Sequence, residues 1–254
     1  MANPLHQFEI QVVAPIHVGG VNASLTNSGI FMLITVAAVS LFLMFGMRNR
    51  RLVPGRWQSM AELSYEFIAG MVRDNVGNEG RRYFPFIFSL FMFILFANVL
   101  GLLPLGLVGI HPFTFTSHFS VTGVLAILSF SIVLIVGFWR HGFHFFSLFV
   151  PHGTPIWLLW LIPFIELISF LVRPFSLALR LFVAMMAGHV LLEVLSSFVI
   201  SSANSGPLWG GIVGIPSFIL MIAICALEIL VAGIQAYVFA LLTSLYLNDA
   251  ENLH

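Results

Sequence analysis

The chain contains no lysine and a single cysteine. All ten basic residues are arginines, balanced by ten acids to a formal net charge of zero. Charged side chains make up 8% of the 254 residues, against roughly 25% in soluble domains. These scarcities exclude several classes. One cysteine, Cys225, excludes an intrachain disulfide. No basic face is available for nucleic acid. No G-x-x-x-x-G-K-S/T run occurs, so a phosphate-cradling loop is not expected. The N-terminal segment is mixed polar, carries Glu9 and lacks a basic stretch leading into an apolar core, so a cleavable signal peptide is not expected. Apolar side chains fill the space: 59% of residues are hydrophobic and the mean hydropathy is +1.04. Water cannot solvate such a chain as a globule, so the bilayer is its solvent.

Apolar run lengths then set the organisation. Residues 1–27 are polar and rich in turn formers, and read as an outer segment. Residues 28–47 form the first apolar run; at a 1.5 Å rise, such a length covers about 30 Å, one hydrocarbon core. It ends in a loop holding Arg48, Arg50, Arg51 and Arg56, which the positive-inside rule places in the cytoplasm, leaving the N-terminus outside. In 57–74, Trp57, Met60, Ser64, Phe67, Ile68, Met71 and Val72 fall on one helical face, with Gln58, Glu62, Glu66 and Arg73 opposite. That pattern suits an amphipathic helix on the inner membrane surface; a small soluble hairpin is the other reading. A pair of spans follows within 84–139, at 84–107 and 119–139, joined by a short outer loop, 111–118. Residues 141–154 read as interfacial, with His141, His144 and His152 as interfacial side chains rather than a metal site.

Two long apolar stretches remain within 155–247, namely 155–200 and 208–247. As continuous helices each runs roughly 60–70 Å, about twice the hydrocarbon thickness, so each is either broken or steeply tilted. The strongest turn between them is 201–206, SSANSG. The sequence therefore predicts an all-α membrane protein: about five crossing helices plus one amphipathic surface helix, the last two long, tilted and paired as a hairpin in a single membrane domain. No internal repeat is evident, which counts against many transporter folds.

The long stretches hold Glu166, Arg173, Arg180, Glu193 and Glu228, with His189 and Gln235 beside them. Each charge at mid-bilayer costs at least ~2.5–3.5 kcal/mol on insertion scales. They must pair, face an aqueous cavity or meet another protein. Glu166, Arg173 and Arg180 recur every seven residues and share a stripe. His189 lies on the opposite side of that helix, with Glu193 one turn beyond it. A hairpin closing at 201–206 sets Gln235 near Val172–Arg173 and Glu228 near Leu179–Arg180, to within two turns. Plainer readings stand beside the functional ones. Glu166 suits a structural ion pair with Arg173, and Arg173 also suits a snorkelling interfacial residue. Arg180 is open to a buried salt bridge with Glu228 or Glu193. His189 and Glu193 are open to a helix–helix hydrogen bond, and Gln235 to a role as interhelical glue. His118 is either solvated or lines an outer vestibule.

Together these residue types make one device. Burial tunes Glu and His to exchange protons near neutral pH. Arg never releases its proton. A row of the former interrupted by the latter is a relay with an insulator. Ala184 and Gly188, and Ala232 and Ala236, are spaced to admit close helix approach.

Residues 173–189, RPFSLALRLFVAMMAGH, together with 234–247, IQAYVFALLTSLYL, resemble the F-type ATP synthase subunit a family, in its alphaproteobacterial and mitochondrial-like form. ANVLGLLP at 97–104 is similar to that family's second span, and the resemblance covers essentially the whole chain. It implies a stator proton-channel subunit, non-catalytic itself, with no cofactor and no metal. Arg180 matches the arginine facing the subunit c ring, and Gln235 the glutamine opposite it. His189 and Glu228 match two proton-path positions, with identities exchanged relative to many bacterial members. Glu166 and Arg173 match a Glu and a basic position, and Asn98 an Asn that lines a half-channel; Glu193 joins the outer path. Ala184 departs from the family, where many members carry Asn. The implied partners are the subunit c ring, the subunit b stalk, the remaining synthase subunits and the lipid bilayer, with protons as the transported ion. The implied location is the bacterial inner (plasma) membrane, or the mitochondrial inner membrane. Two other classes compete: a secondary transporter binding a small substrate, and a scaffold subunit whose charges only pair.

Overall fold

The computed structural model describes residues 12–14, 17–18, 21–22, 24–48, 51–103, 114–142, 145, 161–204 and 210–251. Six α-helices account for most of them. They are α1 (Asn27–Arg48), α2 (Arg56–Val76), α3 (Gly80–Leu102), α4 (Phe119–His141), α5 (Leu161–Asn204) and α6 (Ile215–Glu251). All except α2 are long and apolar enough to cross a membrane. The protein is an all-α membrane protein, as its apolar run lengths require.

Several boundaries move for identifiable reasons. The N-terminal segment contains four strand pieces, Val12–Ala14 (β1), His17–Val18 (β2), Val21–Asn22 (β3) and Leu25–Thr26 (β4). β1 pairs with β4 and β2 with β3, both antiparallel. α2 covers the amphipathic stretch. Ile68, Met71 and Val72 are buried as its pattern predicts, but Trp57, Met60 and Phe67 are exposed. The predicted second span ran to residue 107, whereas α3 ends at Leu102; residues 104–107 lie outside the described residues, as do 155–160 of the predicted long helix and His144 and His152.

Of the turn placed at 201–206, residues 201–204 are helical, and 205–206 lie outside the described residues. α5 continues through Ser201-Ser202-Ala203-Asn204. The buried Ser202 hydroxyl donates to the Val199 carbonyl at 2.9 Å, so the serine is satisfied without leaving the helix. A π turn, Gly210–Gly214, then leads into α6. Pro216, which has no N–H to donate, lies just past this π turn.

The chain divides into two compact units, and α1, α3, α5 and α6 each contribute a segment to both. The first comprises residues 1–41, 93–118 and 181–236; the second comprises 42–92, 119–180 and 237–254.

In the second unit, α1 meets α2 where a side chain on Gly46 would strike Ala61. α2 leans on α3 through the Tyr65 and Phe84 rings, 4.6 Å apart, and on α6 through Phe67 and Tyr237, 5.3 Å apart. α2 closes at Gly77, whose φ of +75° and ψ of −150° suit glycine alone. Ile68, Ile87, Val133, Phe239 and Leu247 are fully buried. The same unit clamps the end of α6. The Glu251 carboxylate is buried, forms an ion pair with Arg140 on α4 and accepts a hydrogen bond from the Tyr83 hydroxyl on α3 at 2.8 Å. The His141 Nε2 meets the Glu251 carbonyl at 3.1 Å.

Removing either partner strands a buried carboxylate. Arg140→Ala is expected to destabilise the protein by up to about 3 kcal/mol, since Arg140 is itself half-exposed and the full penalty of a buried pair does not apply. Tyr83→Phe is expected to cost about 1 kcal/mol. Thermal unfolding in detergent checks the order: Arg140→Ala should lower the midpoint more than Tyr83→Phe does.

Candidate functional site

The residues singled out in the sequence divide between the two units. Glu166, Arg173 and Arg180 belong to the second; Asn98, His189, Glu193, Glu228 and Gln235 belong to the first.

In the second unit, Arg173 anchors a charged knot on α5. Its guanidinium lies 2.8 Å from Asp249 on α6 and 3.7 Å from Glu166 two turns back on α5. Aromatic faces complete the setting, with the Phe170 centroid at 5.6 Å and that of Tyr246 at 5.1 Å. Each ring quadrupole attracts the cation. Glu166 is thus one of two acids on Arg173, and Asp249 is the closer. Arg180 stands differently. It is exposed, and among the described residues no carboxylate lies within ion-pair distance of it. Its α5 face continues through Ser169, Val183, Ala187 and Leu191, eleven, three, seven and eleven positions away, all exposed. A permanent cation is therefore presented on a smooth strip of small and aliphatic side chains.

The first unit gathers polar groups at its core. Glu228 on α6 is 4% exposed and lies against Gly188 of α5, where any β-carbon would collide with its carboxylate. Among the described residues neither Glu228 carboxylate oxygen has a hydrogen-bond partner, and the same holds for Glu193 Oε2. This register differs from the sequence expectation, which set Glu228 beside Leu179–Arg180. α5 extends to Asn204, and Glu228 faces a position further along α5 than the sequence placed it. The small residues sit where close approach needs them, since Ala232 and Ala236 are fully buried.

His189, half-buried on α5, meets the Thr114 hydroxyl through Nε2 at 2.7 Å. Asn98, fully buried on α3, donates through Nδ2 to the Ala232 carbonyl at 3.4 Å, one turn beyond Glu228 on α6. Its Oδ1 accepts from the Thr116 hydroxyl at 2.9 Å. Glu193 and Gln235 are half-buried in the same unit. His118, outside the spanning helices, is half-buried, and burial pushes its imidazole below the ordinary histidine range. Sequence reasoning missed Thr114, Thr116 and Asp249. The two threonines occupy a segment read as an outer loop, and Asp249 was assigned to an acidic tail.

A carboxyl group buried without a protein partner is neutral or served by water. An imidazole and an amide lie in the same unit. Carboxyl and imidazole groups are able to exchange protons, and an amide to hydrogen-bond; among the described residues no group of three His, Cys, Asp or Glu side chains suits a metal ion.

Comparison with known proteins agrees with that chemistry. The family described as ATP synthase A chain matches residues 29–248. ATP synthase subunit a of Erythrobacter litoralis is 66% identical, covering 99% of this chain and 97% of that one. Its counterpart from Rhizorhabdus wittichii is 61% identical, with the same coverage of both chains. That of Zymomonas mobilis is 58% identical, again covering 99% and 97%. With the family match spanning most of the length and relatives of this similarity end to end, the chain belongs to the ATP synthase subunit a family.

Proposed function

We propose that this chain conducts protons to and from a rotor ring of subunit c through two half-channels separated by Arg180. Family membership makes it a non-catalytic membrane subunit that works with other ATP synthase subunits. The observation that carries the finer reading is the state of Arg180: a guanidinium exposed on a spanning helix, on a face of small and aliphatic residues, with no acid of the described chain neutralising it. Such a charge is tolerated in lipid only if something outside the chain meets it. A carboxylate on a passing rotor helix is the fitting counter-charge.

In this mechanism Glu228, His189, Glu193 and Asn98 line the outer half-channel. A proton entering there neutralises a subunit c carboxylate, which then leaves the arginine and enters lipid. The ring turns, and the proton departs on the inner side near Arg173 and Glu166. Arg180 holds the returning carboxylate ionised and bars a direct proton leak between the half-channels. Gln235 on α6 supplies a neutral hydrogen-bonding group to the path. The driving force is about 2.3 kcal/mol per charge per 100 mV, plus the pH gradient. The clustered arginines after α1 favour an inner, cytoplasmic loop and an outer N-terminus in a bacterial inner membrane. The subunit b stalk is the remaining expected neighbour, and α2 the segment expected to lie along the inner surface.

Two measurements test this reading. In membrane vesicles carrying Arg180→Ala, with assembly checked by co-purification of subunit c, ATP-driven proton pumping is expected to vanish. Pumping at the wild-type level would make Arg180 a structural charge and end the proposal. Gly188→Ala is expected to push the Glu228 carboxylate out of its slot and lower pumping on the order of tenfold or more, since small misplacements of a working group are costly. Unchanged pumping in that variant would remove Glu228 from the path.

A further inference from the structure

Residues 114–117, which lead into α4, are buried where a connection would ordinarily be exposed. Thr114, Phe115, Thr116 and Ser117 are all shielded from solvent. Phe115 anchors the segment, its ring 5.7 Å from that of Phe93 on α3. The Ser117 hydroxyl donates to the Thr114 carbonyl and tightens the turn. Thr116 is held by Asn98. The Thr114 side chain packs onto α3 at Gly101, where a β-carbon would collide with its hydroxyl oxygen and stand 2.8 Å from its Cβ and Cγ2. From that notch its hydroxyl reaches His189 at 2.7 Å.

We infer that Thr114 is a positioning residue of the outer proton path, holding the His189 imidazole in one orientation through a hydroxyl seated in the Gly101 notch. The chemistry of the group suits the task. A threonine hydroxyl both donates and accepts. When His189 Nε2 carries a lone pair, Thr114 donates to it; when Nε2 carries a hydrogen, Thr114 accepts. The contact therefore survives both protonation states, which a backbone carbonyl could not offer. Branching at Cβ restricts the side chain to few rotamers, and the notch leaves it little room to leave. The other titratable groups of this unit near the ring in sequence or across the helix pair are Glu193, one turn along α5, Glu228 against Gly188, and His118 in the same segment as Thr114. The inference rests on the reading of His189 as a proton carrier.

The test uses the complete synthase in inverted membrane vesicles, following ATP-driven proton pumping from about pH 6 to about pH 9, where an imidazole titrates. Thr114→Val keeps the shape and removes the hydroxyl. It is expected to assemble, to pump about fivefold more slowly, as for loss of one hydrogen bond, and to shift the pH profile by about half a unit. Thr114→Ser is expected to restore both rate and profile. Gly101→Ala, whose β-carbon would displace the Thr114 hydroxyl from the notch while both side chains stay chemically intact, is expected to reproduce the Thr114→Val profile. If Thr114→Val does not assemble, Gly101→Ala and Thr114→Ala carry the same comparison. A wild-type rate and pH profile in Thr114→Val, with pumping lost in His189→Ala, would overturn the positioning role and leave the path intact. Unchanged pumping in His189→Ala would overturn the path reading, and the inference with it.

Discussion

Lipid cannot solvate charge, and every other feature of this chain answers to that fact. A protein with so few ionisable groups in its spanning helices cannot carry any of them without a means of meeting them. The second unit meets its charges internally. Arg173 is shared by Asp249, Glu166 and two aromatic faces, and Glu251 is held by Arg140 and Tyr83. These are closed sets whose members satisfy one another. The first unit leaves its acids open: Glu228 and one oxygen of Glu193 are buried without hydrogen-bond partners among the described residues. Ion pairs such as those of Arg140 and Arg173 hold helices in register.

The closed sets also explain why the helix ends are fixed. α6 finishes on Glu251, whose carboxylate and carbonyl are both engaged. Two turns of helix separate Glu251 from Ser244 and Thr243, and Thr243 reaches Ser129 of α4 at 3.3 Å while bonding back to the Phe239 carbonyl at 2.8 Å. Hydroxyls here tie helices together in a medium where the hydrophobic effect does not. These ties secure α6 against α4.

Much of the architecture was legible because length and charge are written directly in the sequence. Runs of apolar residues bounded by arginines define α1, α3 and α4 within a few positions. The long final helices were legible from length alone. The turn between them was not, because serine and asparagine signal a loop in water but stay helical in lipid by bonding back to the preceding carbonyl, as Ser202 does. The register was not legible either: Glu228 lies against Gly188 rather than beside Leu179–Arg180. The ionisable residues stood out because charge is rare in these helices. Thr114 and Thr116 did not, since small hydroxyls in a connection carry no periodicity, and Gly101 did not, since a glycine within the apolar span of α3 shows nothing of the side chain that packs onto it. Asp249 and Glu251 were hidden by proximity to the C-terminus, where acids usually signal a solvated tail.

The glycines fall into two kinds with different genetic behaviour. Gly77 is required by its own backbone, which no L-side chain adopts easily. Gly188 has no such constraint, for it is not among the positive-φ glycines; it is required by the carboxylate pressed against it. A lesion at Gly77 can be repaired only by restoring glycine. A lesion at Gly188 has a remedy on another helix: shortening Glu228 to aspartate withdraws the carboxylate by one methylene. The slot and its occupant are thus a suppressor pair, and the second-site revertants of Gly188→Ala should collect on α6 around position 228, while those of Gly77→Ala should not collect anywhere.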